Sequence, residues 1–128
     1  MKKSIALIVL AGGLFLIFQA FSQKANITAG EIPEEVNQII ETSCIGCHST
    51  GSRNEDAHKA LDFKKWDEYK LTKQIGLLDK IDEMVGESKM PPPKFLDFKP
   101  EAKLSESQRE EVLQWANKES SKLMEGNE

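Results

Sequence analysis

Ser43-Cys44-Ile45-Gly46-Cys47-His48-Ser49 contains both cysteines of the chain and one of its two histidines. Its centre reads C-x-x-C-H, the pattern for covalent attachment of haem. The thiols of Cys44 and Cys47 can add across the two vinyl groups of a haem and form thioethers. The imidazole of His48 can then bind the iron from one face. The two-residue gap lets both sulfurs reach one macrocycle edge while the histidine swings beneath it. The same residue types serve other chemistries. A C-x-x-C redox pair would lower one thiol's pKa, though it would come with a thioredoxin-like βαβ pattern that is not visible here. Two cysteines could supply half of a zinc site, with His48 and His58 as the remaining ligands. They could also close into a disulfide, leaving an exported helical protein without haem.

The residues ahead of the motif favour haem. Lys2 and Lys3 form a positive start, and Ser4 to Phe18 is an almost unbroken apolar run. Ala20-Phe21-Ser22 places small residues where a signal peptidase reads them, so cleavage before Gln23 is expected. The competing reading is an uncleaved anchor, although the run is slightly short of the roughly 20 residues that span a bilayer comfortably. No cysteine follows the run, which argues against a lipid anchor. Residues 1–22 are therefore read as a signal segment, 23–30 as a linker and 31–125 as one domain. Export to the periplasm or another extracytoplasmic site fits the motif, because bacterial haem attachment takes place outside the cytoplasmic membrane. Thiols are oxidised there, so the Cys44–Cys47 pair would need reduction before attachment.

Removing residues 1–22 takes away two lysines and no acids, moving the formal charge from −4 to about −6. Such a surface argues against nucleic acid, whose binding rests on phosphate neutralisation. It suits a protein that meets basic or mixed-charge partners. Roughly a hundred residues remain, a size that gives only a modest core. A buried porphyrin would add a large apolar surface and stabilise the fold by linkage.

The domain reads as all-α. Glu31 to about Ser43 is expected to be helical, with Pro33 in the first turn and Glu34 and Glu35 near the positive helix end. Ile32, Val36, Ile39 and Ile40 give it one apolar face. Ser49 to about Ala57 reads as a polar loop. Leu61 to Tyr69 opens a middle helical region, with Asp62 a candidate N-cap. Leu71, Ile75, Leu78, Ile81 and Val85 mark the helix that follows, and Gly86 is its stop. Ser105 to Leu123 is the last helix, opened by a capping box of Ser105 and Gln108. Leu104, Val112, Leu113, Ala116 and Leu123 form its buried side. Between these helices stands Met90-Pro91-Pro92-Pro93. Proline disfavours helical geometry in the residue before it, and three in a row predict a stiff left-handed segment. A stiff strap presenting one thioether suits an axial ligand, because little entropy is lost when its sulfur binds iron.

Further stretches extend the motif in order: Leu61-Asp62-Phe63-Lys64-Lys65-Trp66, then Lys89-Met90-Pro91-Pro92, then Pro100-Glu101-Ala102-Lys103-Leu104-Ser105 and Leu113-Gln114-Trp115-Ala116. A helix leading into C-x-x-C-H, a methionine strap and a closing helix resemble the class I cytochrome c plan. More closely, the chain resembles the small haem-binding domain family of exported bacterial cytochrome-c-like proteins. The resemblance implies one covalent haem c on Cys44 and Cys47, with His48 as proximal and Met90 as distal iron ligand. The chain departs from that pattern in having no proline between Pro33 and Pro91. In class I cytochromes a proline carbonyl often accepts the proximal histidine's other N–H, and the sequence does not assign that orienting partner.

Met90 has rivals for the iron. His58 lies ten residues past His48, Met84 falls inside the middle helix where packing is its ordinary role, and Met124 is near the chain end. An open or water-bound iron is the remaining alternative. Methionine opposite histidine raises the reduction potential, and two protein ligands leave no site for oxygen or peroxide. Arg53, Lys59, Lys64 and Trp66 are candidates for contact with the haem propionates. No general base or nucleophile is paired with a substrate pocket. The expected function is therefore one-electron transfer between redox partner proteins after maturation by the haem attachment machinery, rather than enzymatic catalysis. The alternative is a haem enzyme or gas sensor with an open iron.

Overall fold

The computed structural model describes residues 30–126. The expected signal segment and all but the last residue of the expected linker lie outside them. Among the described residues all regular structure is helical: α1 spans Glu34–Ser43, α2 Glu55–Ala60, α3 Leu71–Gly86, α4 Pro93–Phe98 and α5 Glu106–Glu125. Short 3-10 helices cover Phe63–Glu68 and Pro100–Ala102. The all-α expectation holds. No helix of the described residues is long and apolar enough to cross a membrane.

Helices α3 and α5 form the largest contact in the fold, and α1 packs against α5. Their apolar faces supply the core. Val36, Ile39 and Ile40 come from α1, Leu77, Leu78, Ile81 and Val85 from α3, and Val112, Trp115, Ala116 and Leu123 from α5. Burying each of the larger aliphatic chains contributes about 1.5–3 kcal/mol. The capping box predicted at Ser105 and Gln108 is present in both directions and starts α5 where expected. At the edge of the α3–α5 contact, Ser120 Oγ donates to Asp79 Oδ1 at 2.8 Å.

Three local expectations need revision. Helix α1 starts at Glu34 because Pro33, with φ −59° and ψ 151°, is its extended N-cap rather than a residue of the first turn. Residues 55–60, the first three of which were expected in the polar loop and the rest assigned to no element, form α2. Its only sequence signal is Asn54, whose side chain accepts from Ala57 N at 3.0 Å. Six residues are too few to display an apolar period. The triple proline is not one left-handed strap. Pro92 keeps extended geometry at φ −63° and ψ 141°, but Pro93 opens α4. A proline costs a helix nothing in the first turn, so a run of prolines can end in a helix start. The Met90–Pro91 peptide is cis.

The segment entering α1 is tied down by the two tryptophans and a buried glutamine. Trp66 Nε1 donates to Gly30 O at 2.6 Å, and Trp115 Nε1 donates to Glu31 O at 3.3 Å. Gly30 N donates to Gln74 Oε1 at 3.1 Å, while Gln74 Nε2 donates to Trp66 O at 2.9 Å. Gly30, expected to end the linker, is thus packed as part of the domain.

Candidate functional site

The C-x-x-C-H turn continues α1 without a break. Cys44 N and Ile45 N both donate to Ile40 O, at 2.9 and 3.0 Å. Cys47 N and His48 N then donate to Cys44 O, at 3.1 and 3.0 Å. Both thiols and the imidazole are therefore carried by one turn anchored on a packed helix. Two serine hydroxyls brace it: Ser49 Oγ donates to Ile45 O and Ser52 Oγ to Cys47 O, each at 2.7 Å. Both cysteines are free thiols. Burial pushes the Cys44 thiol up to about 12, because a thiolate there would lose its hydration.

His48 is oriented by Ala57, expected at the end of the polar loop, and Leu61, expected to open the middle helical region. Its Nδ1 lies 3.1 Å from Ala57 O and 3.2 Å from Leu61 O. A carbonyl oxygen only accepts, so Nδ1 carries the proton and Nε2 keeps its lone pair. This backbone pair performs the orienting role for which no proline is present. The capping that ends α2 brings the two carbonyls together, and no composition signal reports it. The same strand of chain is fastened twice more. Phe63 N donates to His48 O at 3.0 Å, and the Thr50 hydroxyl donates to the Asp62 carboxylate. Asp62 also caps the 3-10 helix by accepting from Lys64 N at 3.1 Å. Burial works to raise the Asp62 pKa. The hydrogen bonds from Thr50 and Lys64 and the charge of Lys65 outweigh it, so the net shift is downward. The Phe63 ring meets His48 edge-on, with centroids 6.4 Å apart.

Cys44, Cys47, His48 and Met90 all line one cavity of about 250 Å³. Its walls are apolar, with Ile40 from α1, Leu77 and Ile81 from α3, and Val112 and Trp115 from α5. Phe95 of α4 closes on it, standing 3.4 Å from where a side chain on Gly46 would begin. A Cβ there would make an ordinary van der Waals contact with the ring.

The other expected residues fall elsewhere. His58 does not line the cavity; its Nδ1 faces Ser52 Oγ at 3.3 Å. Met124 is exposed near the end of α5. Met84, expected only to pack, lines the cavity beside Met90, and its carbonyl accepts from Met90 N at 3.1 Å. None of the four propionate candidates lines the cavity. Arg53 faces a separate groove, Lys59 pairs with Glu55 at 2.9 Å, Lys64 is exposed and Trp66 is buried in the core. The basic side chain on the cavity wall is Lys80, an exposed residue between Leu78 and Ile81 that no sequence signal distinguishes from the other lysine of α3.

An all-α domain that gathers two thiols, a thioether and an imidazole with a free nitrogen around an apolar cavity has the chemistry of a haem-binding protein. The family model for the haem-binding domain matches residues 51–118, more than half of the chain, and the chain belongs to that family. The matched span contains α2 to most of α5 and begins after His48, so the C-x-x-C-H turn stands just ahead of it. Comparison with curated proteins and with solved structures found no match.

Proposed function

We propose that the chain is an exported monohaem c-type cytochrome that carries one electron between redox partner proteins. The observation that carries this reading is the setting of His48. Its Nδ1–H is committed to the carbonyls of Ala57 and Leu61, which leaves Nε2 as the nitrogen that would bind iron. Cys44 and Cys47 would hold haem c through two thioethers, and Met90 would bind the iron opposite His48. Bound haem supplies the one-electron redox chemistry. The protein's residues would hold the iron through His48 and Met90, keep water off with apolar walls and retain the ring through the two cysteines. Export rests on the N-terminal residues 1–22, whose apolar run and small-residue site suit delivery to the haem attachment machinery.

Denaturing gels of protein matured with that machinery, stained for haem, test the attachment. The wild type is expected to stain, and Cys44→Ser/Cys47→Ser is expected not to. A colourless wild type defeats the proposal. Optical spectra then separate carrier from sensor. The carrier shows a ferric methionine–iron band toward the red that Met90→Ala removes. A high-spin wild type that binds carbon monoxide readily would instead establish the open iron of a sensor or enzyme.

A further inference from the structure

Lys80 is an exposed residue at the edge of the face that helix α3 turns to the cavity, so its stem touches the wall while its head reaches water. Helix α3 turns Leu77, Ile81, Met84 and Val85 toward the cavity, and Lys80 lines it with them, three residues after Leu77 and four before Met84. A lysine so placed lays its methylenes along the wall and carries its ammonium to the water at the mouth. Lys80 Nζ lies 2.7 Å from Glu83 Oε2, with both side chains about half exposed. An exposed pair of this kind contributes little, so it holds Lys80 only weakly.

A haem carries two carboxylates on the side of the macrocycle away from its vinyl groups, and carboxylates beside an apolar wall call for a cation or water. Lys80 is the one cationic side chain on the cavity wall among the described residues. We propose that Lys80 is the counter-ion of a haem carboxylate, exchanging Glu83 for it when haem is held. This rests on the haem reading above. The exchange moves no bond, only a charge-assisted hydrogen bond. Its consequence is electrostatic: an ammonium near the ring favours ferrous over ferric iron.

Redox titration of holoprotein tests it. Lys80→Met preserves the stem and suits the apolar stripe, so the fold should survive. At fixed potential it is expected to shift the ferrous-to-ferric ratio about three- to tenfold toward ferric, roughly 30–60 mV for one electron. Lys80→Arg should restore the wild-type value. Lys73→Gln, which removes a charge from an exposed position of α3 off the cavity, should move it far less. A haem-loaded Lys80→Met with the wild-type potential, or a Lys73→Gln shift as large, overturns the assignment and leaves the haem reading intact. A wild type that carries no haem overturns both.

Discussion

At the scale of single residues, the site depends on which nitrogen of His48 is free. The two carbonyls near Nδ1 settle the tautomer without a side-chain partner, so no point substitution of an acceptor can undo it. Asp62 is the nearest removable support. Its pKa is lowered in the folded protein, so the unfolded state binds the proton more readily. Asp62 therefore contributes stability above its unfolded value of about 3.9 and loses it as pH falls through the lower folded value. Asp62→Ala is expected to cost about 1 kcal/mol at neutral pH, the usual worth of a cap. Chemical denaturation at pH 7 and again near pH 3 should show the gap to wild type closing in acid. Cys44 gives a second titration, visible in haem-free protein. Its thiol pKa is raised from 9.0 to about 12, so the fold holds the proton that the unfolded chain releases. Stability from this group is complete below pH 9 and is lost as pH rises toward 12. Alkylation of Cys44 by iodoacetamide at pH 8 should accordingly be at least about tenfold slower in folded haem-free protein than in urea, because the thiolate is the nucleophile.

At the scale of elements, α3 and α5 were legible because sixteen and twenty residues display a period several times over. The capping box at Ser105 added a second, independent signal. Helices α2 and α4, at six residues each, offer barely more than one turn and a half. Nothing in their composition separates them from loop, yet α2 orients His48 and α4 closes on Gly46. The polar latch at Gln74 was equally hidden. A glutamine in the α3 stripe reads as a solvated neighbour, but it is fully buried and bonded to both Gly30 and Trp66. Gln74→Leu keeps the volume and strands a backbone N–H and a carbonyl, so it should destabilise by about 2–3 kcal/mol. Leu123→Ala, near the chain end but with no exposed surface, should cost about 2–5 kcal/mol through the cavity it opens. Thermal or urea unfolding checks both. A Leu123 variant matching wild type would mean that the last turn of α5 is not part of the core.

At the scale of the molecule, the cavity decides what the fold needs. Without haem the apolar lining of this open cavity is left to water, and bound haem stabilises the fold by linkage. A small domain has only about 5–15 kcal/mol of stability in total. Cys44→Ser/Cys47→Ser protein lacking haem should therefore unfold at markedly lower denaturant, with weaker near-ultraviolet circular dichroism from Trp66 and Trp115. Equal midpoints with and without haem would show that the walls collapse onto each other instead.

Local chemistry alone determined the C-x-x-C-H motif, the three longer helices and the place of the Met90 thioether directly before the prolines. Those are properties of neighbours in the chain, where spacing and side-chain type are sufficient. Only the packed structure brought Ala57 and Leu61 to His48, removed His58 from the cavity, and placed Met84 and Lys80 on its wall. Backbone carbonyls carry no residue identity, and which helix face meets which wall is set by the mutual burial of three helices.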